Sequence, residues 1–203
     1  MLKLQTIPVG MLQVNCYLVW NDSTREGLLV DPGAEAPRLF DAVTERGISL
    51  KGILLTHGHV DHIGALPELA VHLGAPVWMA AEEVPLYQSP LNELMPWLPH
   101  VENLPEPAKT MPSLTGVAMQ AIPTPGHTPG GVSYYFSDDK FILTGDTLFA
   151  GAVGRTDLGG DADVLKHSVT EVLYALPEET VVYPGHGPST TIGQEKAAPF
   201  PWW

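Results

Sequence analysis

The chain has 203 residues, of which 44% are hydrophobic, so it is long enough to bury a sizeable core in one domain. Its 23 acidic residues against 10 Lys and Arg give a formal net charge of −13. A charge of this sign repels polyanions, so we expect neither nucleic acid nor an anionic membrane as a partner. The expectation that remains is a small-molecule substrate.

The N-terminal region lacks the continuous apolar core of a signal peptide, because Pro8, Gly10, Gln13 and Asn15 interrupt its apolar runs. No stretch approaches the ~18 apolar residues of a membrane span. We therefore expect a cytoplasmic protein. Cys16 is the sole cysteine and has apolar neighbours, which favours a small buried side chain over a disulfide.

Short apolar or β-branched runs that end at polar residues are typical of buried strands. The chain has five of them, at residues 14–20, 27–33, 52–59, 141–146 and 180–187. Three stretches have the helical period, at residues 35–46, 63–73 and 162–176. This mixture predicts an α/β arrangement of sheets flanked by helices, with polar motifs where strands give way to loops. We expect a single domain over residues 1–203.

Residues 84–113 break this pattern with seven prolines, interleaved with Met95 and Trp97. Long loops in compact domains are often functional, but a surface insertion is equally compatible with this composition. We expect the C-terminal Trp202 and Trp203 to pack on the body of the protein, because two exposed tryptophans would form an unusual apolar patch.

The segment THGHVDH places four possible metal ligands within six positions after an apolar run, namely His57, His59, Asp61 and His62. Alternate residues of an extended segment face the same way, so His57, His59 and Asp61 can face one point. His62 would open the following helix and point elsewhere. Two divergent ligand sets indicate two metal ions. Asp61 could also cap the helix, and this role is compatible with metal binding.

Three further motifs supply the additional ligands that two metal ions need. His127 lies in PGHTPG, Asp146 in TGDT and His186 in PGHG, each beside a strand-like run. Nitrogen and carboxylate ligands without thiolate suit zinc, iron or manganese. Two ions ~3.5 to 4 Å apart can activate a water molecule and polarise a carbonyl, so no separate protein nucleophile is needed.

The motifs LLVDPG, THGHVDH, GHTPG, LTGD and PGHG, in this order, make the chain resemble the metallo-β-lactamase superfamily over nearly its whole length. The resemblance implies an α/β fold of the αβ/βα four-layer sandwich type, with two central sheets and helices outside. It also implies two divalent metal ions, expected to be zinc with iron or manganese as alternatives. The implied ligands are His57, His59 and His127 for one ion, Asp61, His62 and His186 for the other, and Asp146 as the bridge.

Asp31, in LLVDPG, matches a residue that supports the ligands from outside in this family, as outer-shell carboxylates do. A turn-forming role before Pro32 and Gly33 is equally compatible and does not exclude the first. Asp61 and Asp146 are the carboxylates that we expect to take part in catalysis.

Within the superfamily, residues 143–157 and 184–196 are most similar to glyoxalase II in its short bacterial form, which lacks the C-terminal helical domain. The resemblance implies a hydroxyacylglutathione hydrolase that cleaves the thioester S-lactoylglutathione to lactate and glutathione with a metal-bound hydroxide. Arg155 then matches a basic residue that holds the glycine carboxylate of glutathione. A surface pair with Asp157 is the other interpretation of Arg155. The chain ends seventeen residues after His186, so we expect part of the usual glutathione site to be missing.

The alternative function is a mononuclear-iron persulfide dioxygenase, because such enzymes share the fold, the H-x-H-x-D-H motif and a GRTD segment. For the hydrolase, the expected partner is a small glutathione conjugate. We expect a monomer or a small homo-oligomer.

Overall fold

The computed structural model describes residues 1–93 and 98–201. Its elements fall into two compact units. The first comprises residues 1–79 and 84–117, and the second comprises residues 80–83 and the chain from residue 118 onward. Each unit has a five-stranded sheet with helices, so the predicted α/β class is confirmed. The expectation of a single domain stays a prediction.

The sheet of the first unit has its strands hydrogen-bonded in chain order. They are β1 (Leu2–Val9), β2 (Val14–Asn21), β3 (Glu26–Val30), β4 (Ser49–Leu54) and β5 (Val77–Trp78). β1, β2 and β3 pair antiparallel, whereas β3, β4 and β5 pair parallel. The sequence pattern predicted β2, β3 and β4, but it missed β1. β1 lies at the sheet edge and buries only Ile7 and Val9, so its apolar signal is weak.

The helices of the first unit are α1 (Ala36–Thr44), α2 (Val60–Ile63), α3 (Leu66–Leu73) and α4 (Val84–Tyr87). The predicted helix over residues 63–73 is wrong at its start, because the helical turn α2 begins three residues earlier and ends before α3. α3 stops at Gly74, which has the positive φ of 60° that favours glycine at a helix end. The segment 84–113 contains α4 and a short 3₁₀ turn at Pro90–Asn92.

The core of the first unit is formed by side chains of the central strands and of α1 and α3. Leu18, Leu29 and Ile53 of the sheet and Leu39 and Leu66 of the helices are fully buried. Each such side chain contributes roughly 1.5–3 kcal/mol relative to an exposed position. This packing fixes the ends of β3 and β4, which lead directly into two of the polar motifs.

Cys16, on β2, is a free and fully buried side chain, as the sequence predicted. Burial, and to a smaller extent the negative charge of Asp31, raises the pKa of its thiol well above the usual value. The thiol therefore stays protonated and serves as a packing group.

The main sheet of the second unit has the order β12-β11-β8-β7-β6, and β9 and β10 form a separate hairpin. The strands are β6 (Met119–Pro123), β7 (Val132–Phe136), β8 (Phe141–Gly145), β9 (Leu148–Phe149), β10 (Ala152–Val153), β11 (Val181–Pro184) and β12 (Thr190–Thr191). β8 and β11 are parallel neighbours, and the other pairs are antiparallel. The sequence predicted β8 and β11, whose ends carry polar motifs.

The second unit has α5 (Ala162–His167) and α6 (Ile192–Ala197). α5 continues as a π-helix over Ser168–Val172 and as a 3₁₀ turn over Leu173–Ala175. The predicted helix over residues 162–176 is therefore helical as far as residue 175, but only partly α. Its apolar face packs on the sheet through Leu165, Val169 and Leu173, which are buried.

Within residues 1–93 and 98–201, no helix combines the length and apolar character that a bilayer crossing requires. The predictions made for Met95, Trp97, Trp202 and Trp203 fall on residues outside the described part of the chain.

Candidate metal centre

The histidine-rich motif of the first unit follows the end of β4. His57 and His59 are buried in this connection, and His62 is fully buried within α2. His59 keeps an extended backbone and occupies the position just before the helix. Gly58 lies against the backbone of Tyr87, and a Cβ there would lie 3.0 Å from the Tyr87 amide nitrogen. The motif is therefore held in a tight space in which its imidazoles face one another.

The imidazole rings of the motif are closely packed. The ring centroids of His57 and His59 are 4.8 Å apart at a right angle, and those of His57 and His62 are 4.1 Å apart. Asp61 Oδ2 lies 3.8 Å from His62 Nε2. That separation is too long for a hydrogen bond. It is close to the separation of two ligands of one ion, since ligand atoms bound at ~2.0–2.1 Å lie roughly 3.3 Å apart in a tetrahedral site.

Asp61 takes a different place from the one that strand alternation predicted. The expectation that His57, His59 and Asp61 face one point assumed an extended chain as far as Asp61. The helical turn α2 begins at Val60, so the alternation ends at His59. Asp61 consequently lies beside His62.

Asp31 connects the end of β3 to this motif. The residue has a positive φ of 51°, as a tight bend requires, and a buried side chain, and its role in supporting metal ligands stays a prediction. Its Oδ1 accepts the Thr56 amide at 2.8 Å, and its Oδ2 accepts the Thr56 hydroxyl at 2.7 Å. The same Oδ2 lies 3.0 Å from His62 Nδ1, and Thr56 Oγ1 lies 3.0 Å from His57 Nδ1.

These contacts select the tautomers of two imidazoles. An ionised Asp31 only accepts, so the proton of this bond is on His62 Nδ1. Because the Thr56 hydroxyl donates to Asp31, its oxygen accepts a proton from His57 Nδ1. Both rings then carry no proton on Nε2, which is the form of imidazole that binds a metal ion.

The second unit carries three donors, each after a strand. His127 follows β6, Asp146 follows β8 and His186 follows β11. β8 and β11 are parallel, so Asp146 and His186 leave the same edge of the sheet, and the Gly185 amide donates to the Gly145 carbonyl there. Asp146 Oδ2 lies 3.7 Å from His127 Nε2 and 3.5 Å from His186 Nε2. One carboxylate oxygen therefore faces two imidazole nitrogens at the spacing of shared metal ligands.

His127 is oriented by a backbone group of the following loop. Its Nδ1 donates to the Arg155 carbonyl at 2.6 Å, which again leaves Nε2 to face Asp146. Gly154 packs so closely here that a Cβ would overlap the Asp146 carbonyl oxygen and lie 3.0 Å from His127 Nδ1. Any larger residue at Gly154 would therefore displace the two candidate ligands Asp146 and His127.

The guanidinium of Arg155 pairs with Asp157. Its Nε and Nη2 each donate to one oxygen of that carboxylate at 2.6 Å, and 58% of the Arg155 side chain is exposed. The hydrogen bond between the two side chains lowers the pKa of Asp157 to about 2 and raises the pKa of Arg155. The surface pair that the sequence offered as the second interpretation is thus present, and the role of Arg155 in binding glutathione stays a prediction.

Sequence reasoning missed the groups that hold the donors in place. Thr56 links Asp31 to His57, and its place directly before His57 was the available signal. The Arg155 carbonyl holds His127, and a backbone acceptor leaves no signal in a sequence.

The ring of Phe149 lies 6.2 Å from that of His186 in an edge-to-face arrangement, and this contact was also not predicted from the sequence.

Imidazole and carboxylate donors at the ends of sheet strands are typical of metal-dependent hydrolases. The sequence model described as the metallo-beta-lactamase superfamily matches residues 9–186, and the chain belongs to this superfamily. The predicted family is therefore confirmed, and the chain is a metallo-hydrolase of this group.

The chain is similar to one curated relative and to two solved structures over nearly its whole length. It is 37% identical to hydroxyacylglutathione hydrolase GloC of Haemophilus influenzae, covering 98% of each chain. The crystal structure of the BLEG-1 B3 metallo-beta-lactamase is 35% identical, with a TM-score of 0.86 and coverage of 97% of this chain and 98% of that one. The structure of TTHA1623 in a di-iron-bound form is 37% identical, with a TM-score of 0.82 and coverage of 96% and 98%. These likenesses confirm the predicted metallo-β-lactamase fold.

Proposed function

We propose that the chain is a binuclear metallohydrolase that cleaves the thioester of S-lactoylglutathione to lactate and glutathione. In this proposal one ion takes His57, His59 and His127, the other takes Asp61, His62 and His186, and Asp146 bridges them. The relative GloC is named a hydroxyacylglutathione hydrolase, and this name supports the proposed thioester hydrolysis.

The observation that carries the proposal is the position of Asp146. Its Oδ2 lies 3.5 and 3.7 Å from the Nε2 atoms of two histidines that come from different loops. A carboxylate that served only as a hydrogen-bond acceptor would lie within about 3.2 Å of its donors. The longer, nearly equal distances suit ligands that share metal ions.

The donors are imidazole and carboxylate groups without thiolate, which suit zinc and also iron or manganese. We propose zinc as the usual occupant. The di-iron form of TTHA1623 supports iron as an alternative. When bound, two such ions would lower the pKa of a water molecule and polarise the thioester carbonyl.

The protein's own groups prepare this chemistry. Asp31 and Thr56 keep His57 and His62 in the tautomer that offers Nε2. His186 has the most exposed side chain among the three donors of the second unit, with 28% accessible, so it marks an open side for substrate. During hydrolysis a C–O bond to water forms, the C–S bond breaks and the leaving thiolate gains a proton.

The remaining expectations follow from charge and sequence. The net charge of −13 favours a small molecule over nucleic acid or membrane as the partner. We propose a cytoplasmic enzyme that acts as a monomer or a small homo-oligomer. Arg155 is proposed to bind the glycine carboxylate of glutathione, for which it must leave Asp157.

The deciding assay measures turnover of S-lactoylglutathione by zinc-, iron- and manganese-loaded protein. We expect thioester cleavage, and we expect Asp146→Ala to lower kcat by at least ~100-fold, because it removes the ligand shared by both ions. Nitrocefin and glutathione persulfide serve as comparison substrates. Faster cleavage of the β-lactam, or oxygen uptake on the persulfide without thioester cleavage, would replace the proposed reaction.

A separate prediction tests Arg155. Arg155→Ala should raise KM about 3- to 10-fold and leave kcat nearly unchanged, because an exposed charge pair contributes modest binding that is equal in ground and transition states. Asp157→Ala is the matched control, since it frees the guanidinium and should not raise KM. Unchanged KM in Arg155→Ala would remove Arg155 from the glutathione site and leave the reaction in place.

A further inference from the structure

The loop of residues 124–131, here called the His127 loop, is fixed by groups that lie outside it. The hydrogen bonds that do this include those from the Asp161 amide to the Gly126 carbonyl, from the Ser168 hydroxyl to the Pro125 carbonyl, and from the Gly130 amide to the Glu83 carboxylate. The first two hold the start of the loop, just before His127. The third holds its other end, three residues after His127.

Glu83 differs from the other two anchors because it is an acidic side chain that is 1% exposed. It ends the 3₁₀ turn Ala81–Glu83, and its Oε2 accepts the Gly130 amide at 2.7 Å. Gly130 is buried, and a Cβ there would overlap the backbone nitrogen of Glu83. The turn and the loop therefore meet at a glycine, with a carboxylate bonded to its amide.

Burying a carboxylate is costly unless hydrogen bonds compensate, so a neutral or apolar residue would be favoured if packing alone were needed. A carboxylate accepts an amide proton with a shorter and stronger bond than a neutral acceptor. We propose that Glu83 is a positioning residue for the metal ligand His127, acting through Gly130. The proposal rests on the proposed function only in that His127 binds a metal ion.

The physical effect of Glu83 follows from the two ends of the loop. With Gly126 and Gly130 both held, His127 can meet the Arg155 carbonyl through Nδ1 and face Asp146 through Nε2. Without Glu83, the buried Gly130 amide lacks its acceptor, and the loop must shift to satisfy it. A shift of this kind moves Nε2 away from the position that a metal ion requires.

The test compares Glu83→Met with Glu83→Gln. Methionine keeps the length of the side chain and removes the acceptor, whereas glutamine keeps an acceptor oxygen at the same reach. For zinc-loaded protein, chelator competition should show ~10- to 100-fold weaker zinc binding in Glu83→Met, the range found for outer-shell partners of metal ligands. Glu83→Gln should stay within about 3-fold of the unsubstituted protein.

Nitrogen-15 NMR of the histidine side chains supplies a readout that general destabilisation does not move. The proton on His127 Nδ1 should be seen in the unsubstituted protein and in Glu83→Gln, and it should shift or broaden in Glu83→Met. Glu195→Met is the matched control, because Glu195 is also a buried carboxylate that accepts a backbone amide, that of Gly151. It should lower the melting temperature and leave the His127 signal in place.

Equal zinc affinity and an unchanged His127 signal in Glu83→Met would overturn the proposal. A loss in Glu83→Gln as large as in Glu83→Met would also overturn it, because the loss would then not follow the presence of an acceptor for the Gly130 amide. If Glu83→Met does not fold, Glu83→Asp decides, since its shorter side chain withdraws the acceptor and should weaken zinc binding. If the unsubstituted protein binds no zinc, the proposed function fails, and the His127 signal of metal-free protein still tests Glu83.

Discussion

At the scale of single residues, three of the imidazoles at the site share one arrangement. His57, His62 and His127 each engage Nδ1, through Thr56 Oγ1, Asp31 Oδ2 and the Arg155 carbonyl in turn. Since a neutral imidazole donates from one nitrogen and accepts with the other, all three offer Nε2. The Nε2 atoms of these candidate ligands are therefore oriented by groups that would not themselves bind the metal ion.

Asp31 gives the sharpest test of this arrangement. Asp31→Asn keeps the shape and tolerates the positive φ, but the amide nitrogen in place of Oδ2 cannot accept from His62. We expect metal affinity to fall roughly 10- to 100-fold, measured by competition with a chelator. Asp41→Asn, an exposed position with the same change of charge, is the control. Equal affinities in the two variants would show that Asp31 serves only the turn.

At the scale of elements, the sequence predicted best the strands that lead into the site. β4, β8 and β11 are interior strands with apolar runs at residues 53–54, 141–143 and 181–182, so the strands show in the sequence, although their exact bounds do not. β6 has no fully buried residue, and β1 is an edge strand, so neither has the pattern of a buried strand. Both segments form strands because of their pairing with neighbouring strands and not because of their own apolar pattern.

The donors could be predicted because metal chemistry restricts them to a few residue types in short motifs. Of the groups around them, Asp31 was singled out by the family motif, but Glu83 and the Arg155 carbonyl could not be, since they bond to backbone atoms or to side chains distant in sequence. Strand alternation mispredicted the place of Asp61, because a four-residue helix, α2, is too short to show a period, whereas the family resemblance grouped Asp61 with His62. Local spacing therefore pointed to candidate ligands, while the surrounding fold determined that Asp61 lies beside His62.

Glu26, the first residue of β3, allows a prediction about acid stability. The Thr115 amide bonds its Oε2 at 2.9 Å and Lys51 lies 3.0 Å from its Oε1, and these contacts lower the pKa of Glu26 to about 2. A lowered pKa means that the ionised carboxylate stabilises the fold above pH 4.5, and that this contribution is lost as the pH falls from 4.5 towards 2.

We therefore expect Glu26→Gln to be less stable than the unsubstituted protein at pH 7. The difference should shrink steadily below pH 4.5 and vanish near pH 2. Urea unfolding of metal-free protein across this range measures it. A difference that stays constant from pH 7 to pH 2 would show that the contacts of Glu26 do not depend on its charge.

At the scale of the whole molecule, the chain combines a strongly acidic composition with donors spread from residue 57 to residue 186. No short segment contains all seven. Most of the candidate ligands follow a strand, and Asp61 and His62 lie in α2, so rigid elements orient them. The net charge of −13 is unfavourable for polyanions, while two dications would make the site itself favourable for a developing negative charge.

The most direct test of the account is the number of metal ions per chain. Protein saturated with zinc and freed of excess metal by gel filtration should contain two ions by elemental analysis, and Asp146→Ala should contain at most one under the same conditions. A value of one or fewer in the unsubstituted protein, after loading with zinc, iron and manganese in turn, would contradict a binuclear centre. Two ions retained in Asp146→Ala would show that Asp146 does not join them.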